Sequence, residues 1–195
     1  MKNPQYSLIL ASTSRYRAEL LARLGLAFVS QSPGVDETPE PNEGPAALTQ
    51  RLARLKAEAV SRQHPDAVVI GSDQTAAWQT QCLGKPGTAE RAVEQLRLLS
   101  GQRVTFHTAW TVQRGAQQRH GSDLTHVQFR ALSTTDIRHY VERESPLDCA
   151  GSFKSEGLGV CLFESIQSED PTALIGLPLI AIANALRAFG IDPLA

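Results

Sequence analysis

Two short apolar runs limit what this chain can fold into: Tyr6 to Leu10, unbroken from Leu8 and continued by Ala11, and Ala67-Val68-Val69-Ile70. A strand with one wet face alternates polar and apolar residues, whereas an unbroken run suits a strand buried on both faces, as in the parallel part of an α/β sheet. The first run ends at Ser12-Thr13-Ser14, which can cap a helix carrying Leu20, Leu21 and Leu24 before Gly25 stops it. The second ends at Gly71-Ser72-Asp73-Gln74. That puts Asp73 at the C-terminal end of a buried strand, where open α/β sheets bind ligands.

Between these runs, residues 31–45 hold prolines and acidic residues and read as an exposed loop. Pro45 then starts a helix in which Leu48, Leu52, Leu55 and Ala59 recur at helical spacing, with Arg54, Lys56 and Glu58 on other faces, and His64-Pro65 ends it. Gly84-Lys85-Pro86-Gly87 reads as a turn, and Thr88 caps a helix with Val93, Leu96 and Leu99 inward. Strands around 103–112 and 124–131, separated by a polar stretch 113–123, suggest a hairpin. Ser133 to Asp136 opens a short helix with Ile137, Tyr140 and Val141; a glycine-bounded charged loop covers 151–157. Leu158 to Phe163 reads as a strand and Pro178 to Phe189 as the last helix. The alternation favours an α/β fold with a mixed sheet.

Composition removes several function classes. The 195 residues carry a formal net charge of −1, without the basic surplus of a nucleic-acid or anionic-membrane binder. The three cysteines, Cys82, Cys149 and Cys161, are odd in number and lack CxxC spacing, so neither a disulfide framework nor a structural zinc site is suggested, and burial is the default for each. No apolar run is long enough for a signal-peptide core or a bilayer span, so the expectation is a cytoplasmic protein. The P-loop, GxGxxG, GxSxG and HExxH patterns are absent, and the five histidines show no ligand spacing.

What remains is charge in loops beside apolar elements: Arg15, Arg17, Asp36, Glu37, Asp73, Lys85, Lys154 and Glu156. Cationic side chains and helix N-terminal amides can hold a triphosphate, while carboxylates hold Mg²⁺ or Mn²⁺ and orient or deprotonate water. Each residue also has a plain structural reading. Ser12 and Ser14 can be helix caps, Asp36-Glu37 solvated charge, Asp73 a turn residue, and Lys56 by default a surface lysine. Lys85, held between Gly84 and Pro86, is better placed for a positioned role.

At these residues the chain resembles the Maf family of nucleoside triphosphate pyrophosphatases. The resemblance runs nearly end to end through LILASTS at 8–14 with Arg17, VDET at 35–38, the helix with Lys56, IGSDQ at 70–74, GKP at 84–86, SGQRVTFHT at 100–108, CAGSFKSEG at 149–157 and LIGLPL at 174–179. The SDQ and GSFKSEG versions resemble the branch that hydrolyses 7-methyl-GTP rather than dTTP and UTP. The resemblance implies one Maf-like domain over residues 1–195. Its expected fold is α/β, a mixed twisted sheet flanked by helices, with two lobes and a central cleft, related in shape to inosine-triphosphate pyrophosphatases. It further implies release of pyrophosphate from a nucleoside triphosphate, a divalent metal cation (Mg²⁺ or Mn²⁺) as cofactor, and a homodimer.

Residue by residue, the resemblance makes Asp73 the catalytic base and Glu37 the carboxylate that works with it at the metal. Ser12, Arg17, Lys56 and Lys85 match phosphate-contacting positions; Tyr16, Gln74 and Glu156 match those that set substrate choice, and Lys154 belongs to the same substrate-binding motif. A cationic 7-methylguanine ring could stack on Tyr16 and donate to Glu156, with Gln74 completing the polar edge. The chain departs from the family's SPRRR or SPWRR loop, reading Ser14-Arg15-Tyr16-Arg17-Ala18. Either Arg15 supplies the lost positive charge or the phosphate grip is weaker. Two other readings stay open: a pyrophosphatase for dTTP, UTP or other modified nucleotides, and a nucleotide-binding regulator of cell division.

Overall fold

Because an unbroken apolar strand must be covered on both faces, the first run fixes the layering. In the computed structural model, which describes residues 7–195, it forms β1 (Leu8–Ala11), buried at every position. Tyr6, expected in this strand, lies outside the described residues. Leu8 and Leu10 face one side and pack with Leu20 and Leu21 of α1 (Arg15–Ala22) and Ile182 and Leu186 of α5 (Leu179–Arg187). Ile9 and Ala11 face the other side and pack with Ala57 and Val60 of α2 (Pro45–Ser61). Burying each large aliphatic side chain contributes about 1.5–3 kcal/mol. Ser14 caps α1 by accepting from the Arg17 amide, and Pro45 opens α2 at its first turn, both as the sequence suggests.

One seven-stranded mixed sheet runs through the molecule. β2 (Val29–Ser30) and β3 (Val68–Trp78) flank β1 in parallel. β4 (Gln81–Leu83) and β5 (Arg103–Arg114) pair antiparallel with β3, and β6 (Gln117–Phe129) and β7 (Phe163–Gln167) continue outward. The far end of β3 and β5 belongs to a second core. There Phe106, Phe129 and Phe153 pack edge-to-face, with α3 (Ala89–Leu99) and α4 (Thr134–Glu144) covering them. The long strands thus span two lobes, the first built on β1 and α2, the second on the phenylalanine cluster.

Four local expectations are corrected. β3 does not end before Asp73; it runs on to Trp78, so Asp73 is a mid-strand residue. The polar stretch 113–123 is mostly strand, because β5 and β6 stay in register down to Arg114 and Gln117, with polar side chains suiting a sheet end that reaches solvent. Leu158–Leu162 is a 3₁₀ turn rather than a strand: Gly159 lies against the Lys154 backbone, so close that a Cβ there would collide with it, and extended pairing begins only at Phe163. Cys82 and Cys161 are exposed, not buried.

Candidate active site

The parallel part of the sheet ends abruptly. β1 pairs with β3 only as far as Ala11 opposite Gly71, and β4 joins the same edge of β3 only from Ala76. Ser72 to Thr75 therefore have no neighbour on that edge, although on the other side β5 holds them, with Asp73 opposite Ala109 and Gln74 opposite Thr108. A cleft opens at this gap, between the lobes. The loop after β1, the 31–44 loop, the 84–87 turn and the 148–156 segment rim it.

Lys56 is the centre of its charge network. Its Nζ lies 2.7 Å from Asp73 Oδ1 and 2.6 Å from Glu37 Oε1. The Lys56 and Asp73 side chains are 6% and 9% exposed, whereas Glu37 is 60% exposed, so the Lys56–Asp73 pair is a buried one and Glu37 closes it from the solvent side. Lys56 is thus no surface lysine. It belongs to the series Leu48, Leu52, Lys56, Val60, one residue per helical turn on the buried face of α2. That spacing is a signal the sequence carries, and the 48/52/55/59 stripe missed it. Gly71 makes the approach possible, since a Cβ there would meet the Ala53 carbonyl and lie 2.6 Å from the Ala57 amide.

Burial raises the Asp73 pKa above the ordinary carboxylate range, Lys56 and then Arg17 oppose the rise, and Glu37 adds to it. Arg17 donates from Nε to the Gly176 carbonyl at 2.9 Å, and its Nη1 lies 3.5 Å from Ser12 Oγ. Burial lowers its pKa, with Asp73 and Glu37 pulling the other way. Ser12 is buried, and its Oγ accepts from the Ser14 amide at 3.1 Å. Of the first-turn residues of α1, Arg17 gives its amide to Ser14 Oγ, while Arg15 and Tyr16, whose amides have no intrahelical acceptor, line the cleft. Lys85 is exposed on the cleft wall and has no hydrogen-bond or ion-pair partner among the described residues.

The cleft has two connected chambers. The larger, about 600 Å³, is lined by Ser12, Arg17, Glu37, Lys56, Asp73 and Lys85. The smaller, about 170 Å³, is lined by Tyr16, Phe106, Phe153 and Glu156, among others. Ser14, Tyr16, Arg17, Gln74, Lys85 and Asp148 touch both. The Tyr16 ring carries the Arg15 guanidinium 4.8 Å from its centroid, and Arg15 also donates to the Tyr16 hydroxyl. Arg15 lines the larger chamber. Gln74 donates from Nε2 to Thr108 Oγ1 and to the carbonyls of Ala173 and Leu174. Burial pushes the Cys149 thiol up to about 12, so this cleft cysteine is held as an unreactive thiol.

Nine of the ten site residues expected from the sequence converge here. The exception is Lys154: its ammonium donates to the carbonyls of Glu144 (2.9 Å) and Ser145 (3.3 Å), satisfying the C-terminal end of α4 and leaving it off the cleft wall. Asp148, on the wall of both chambers, and Thr108, behind Gln74, were not singled out, although each adjoins or ends a quoted motif. A second groove of about 570 Å³, between α2 and the β5–β6 hairpin, contains none of the expected residues, and its arginines are paired with Glu43 and Glu58.

Glu37 and Asp73 each give one oxygen to Lys56, and their other oxygens have no protein partner among the described residues. No group of three or more His, Cys, Asp or Glu side chains suited to a metal occurs among the described residues. Two carboxylates beside a chamber also lined by Arg17 and Lys85 fit a Mg²⁺-type ion, which is commonly held by one or two carboxylates together with substrate phosphates. No helix is long and apolar enough to cross a membrane among the described residues.

Comparison with known proteins adds three findings. The family model described as Maf-like protein matches residues 7–189. A protein of Xanthomonas axonopodis pv. citri named 7-methyl-GTP pyrophosphatase is 57% identical over 183 residues, covering 94% of this chain and 96% of its own. Proteins of the same name from Bordetella avium and Chromohalobacter salexigens are 53% and 51% identical, covering 99% and 96% of this chain and 97% and 98% of their own. A solved structure of the Staphylococcus aureus Ham1 protein matches with a TM-score of 0.50 at 14% identity over 93% of this chain and 96% of that one, a likeness of fold alone.

Proposed function

The chain belongs to the Maf-like protein family, and from that premise and the geometry of the cleft we propose that it hydrolyses 7-methyl-GTP to 7-methyl-GMP and pyrophosphate. The observation that carries the reading is the convergence of Asp73, Lys56 and Glu37 at the gap in the sheet, beside a chamber rimmed by Ser12, Arg17 and Lys85. In the larger chamber Arg17, Lys85 and the α1 amides hold the triphosphate, whose negative charge they complement. Asp73, with its raised pKa, takes the proton of a water molecule as that water's oxygen bonds to phosphorus; the α–β phosphoanhydride bond breaks and pyrophosphate leaves. Lys56 keeps Asp73 ionised enough to act and holds it in one orientation.

Glu37 and Asp73 would hold the divalent cation, Mg²⁺ or Mn²⁺. Bound there, it would supply positive charge to the triphosphate oxygens and to the leaving pyrophosphate. The smaller chamber takes the base. Tyr16 offers an aromatic face to a cationic ring, and Glu156, exposed and ion-pair-free among the described residues, accepts from guanine N1 and N2. The same reading carries a cytoplasmic location, where such a nucleotide would otherwise enter RNA, and a homodimer.

The test is pyrophosphate release by the purified protein with Mg²⁺ or Mn²⁺ from 7-methyl-GTP, GTP, dTTP, UTP and ATP. The expected result is a preference for 7-methyl-GTP that disappears with Asp73→Asn. A preference for dTTP or UTP, or equal turnover by Asp73→Asn, refutes the reading.

A further inference from the structure

Asp170 touches neither chamber, yet it is 3% exposed and saturated with hydrogen bonds. Its Oδ1 accepts from the Thr172 amide at 2.9 Å and from the Thr172 hydroxyl at 2.6 Å; its Oδ2 accepts from the Ile180 amide at 2.7 Å, in the first turn of α5. Thr172 Oγ1 also lies 2.9 Å from the Leu177 carbonyl and accepts from the Leu179 amide at 2.8 Å. One buried carboxylate thus ties both ends of the segment 172–180 together. Negative charge at a helix N-terminus adds to the tie.

The segment closed in this way turns its carbonyls toward the active site. Ala173 O accepts from Gln74 Nε2 at 2.8 Å and from Thr108 Oγ1 at 3.0 Å, and Leu174 O accepts from Gln74 Nε2 at 3.0 Å. Gly176, at φ 119°, presents a carbonyl that accepts from Arg17 Nε at 2.9 Å and from Ser72 Oγ at 3.0 Å. Both amide hydrogens of Gln74 are therefore used by the protein, which leaves Oε1 as its polar atom for a ligand. Arg17 likewise commits Nε to the loop and Nη1 weakly to Ser12 Oγ, which leaves Nη2 as its nitrogen without a protein partner among the described residues.

We propose that Asp170 is a positioning residue for substrate selection, acting through the 172–178 loop on Gln74 and Arg17. The inference rests on the proposed nucleotide site, because it deepens how that site chooses a base. Side chains that discriminate must be held to within a fraction of an ångström, and Asp170 holds the loop that holds them.

The test compares kcat/KM for 7-methyl-GTP and GTP in Asp170→Asn, well below its melting temperature. Asparagine keeps the shape but turns an N–H toward the Thr172 or Ile180 amide, setting donor against donor. The expected result is a fall of about tenfold or more in the 7-methyl-GTP to GTP ratio. In a Gln74→Ala background the same substitution is expected to leave the ratio unchanged within about twofold, because Gln74 faces the base, whereas Arg17 serves the phosphates that both nucleotides share. A lowered melting temperature with an unchanged ratio overturns the proposal, as does an equal fall in the Gln74→Ala background. Should Asp170→Asn fail to fold, Thr172→Val loosens the same tie and is read the same way. If the wild type does not prefer 7-methyl-GTP over GTP, the functional reading fails; the positioning role is then read on the ratio between the first- and second-ranked nucleotides.

Discussion

Lys56→Met removes the one buried cation that touches Asp73 among the described residues while keeping most of the length and the apolar stem of the side chain. At 2.7 Å the gross attraction is about 6 kcal/mol for an effective dielectric near 20. Desolvation of both groups offsets much of that. Breaking one side of a buried pair nevertheless costs about 3–5 kcal/mol, because the remaining charge is left uncompensated. Glu37 adds little to this sum, since a carboxylate 60% exposed is screened by water. For a chain of this size the loss corresponds to a fall in Tm on the order of 10 °C. The pH dependence is specific. Asp73 already has a pKa raised by burial, so its ionised form opposes folding, and that cost develops as pH rises from the ordinary carboxylate range through its folded value. Without Lys56 the folded pKa rises further, and the gap between variant and wild type should be widest at pH 8 and should narrow toward pH 4. The acid limb of the rate profile should move to higher pH for the same reason. Thermal melts of both proteins across that range, with pyrophosphate release from pH 5 to 9, measure the two effects. A variant that melts within about 2 °C of the wild type at pH 8, or whose deficit is the same at every pH, would falsify the buried-pair argument.

Other outcomes follow from the remaining geometry. Asp73→Asn should lower kcat by about 10²–10⁴-fold with a much smaller change in KM, because the phosphate-binding side chains are untouched; steady-state kinetics on the preferred nucleotide check this. Lys85→Ala should leave stability within about 0.5 kcal/mol by urea unfolding, since Lys85 is exposed and unpartnered among the described residues, while KM for the triphosphate rises. Lys154→Met should do the reverse, lowering Tm through the lost cap on α4 and leaving kcat/KM within about twofold; a selective kinetic defect would return Lys154 to the site.

The elements whose ends are written locally were legible in the sequence. Caps at Ser14, Thr88 and Ser133 and the proline at Pro45 act within one helical turn, so the residues alone locate those helix starts. Properties decided by distant chain segments were not. Asp73 looks like the residue after a strand because the apolar run stops at Ile70, yet β5 pairs with the polar residues beyond it and keeps them extended. Lys56 looks like surface charge until Asp73, 17 residues on, supplies the partner that makes its burial affordable. The site residues themselves were reached through their resemblance to a family, not through periodicity. The sequence offers LIGLPL at 174–179 as a matching segment, but the carbonyls of Ala173, Leu174 and Gly176 have no side-chain signature, which is why the hold of this loop on Gln74 and Arg17 was not legible.

The position of Asp73 explains why the site needs so many separate loops. The proposed base, if carried on a loop, would share the loop's motion, whereas in the middle of an eleven-residue strand it is fixed from both ends and from β5 beside it. The strand can supply only side chains at one spacing, so Asp73 points to the α2 face and its neighbours Ser72 and Gln74 point to the other, against Ala173 and Gly176. The cations of the proposed site then come from elsewhere: Lys56 reaches Asp73 across the helix face, Arg17 comes from the turn after β1 and Lys85 from the turn after β4. All three line the same cleft as Asp73, which is open because β1 stops at Ala11 and β4 reaches only as far as Leu83 opposite Ala76, leaving that edge of the strand free. Gly71 sets the remaining distance, since any side chain there would lift α2 and carry Lys56 away from its partner. The gap in the sheet and the glycine before it are therefore part of the proposed catalytic arrangement, although neither touches a reacting atom.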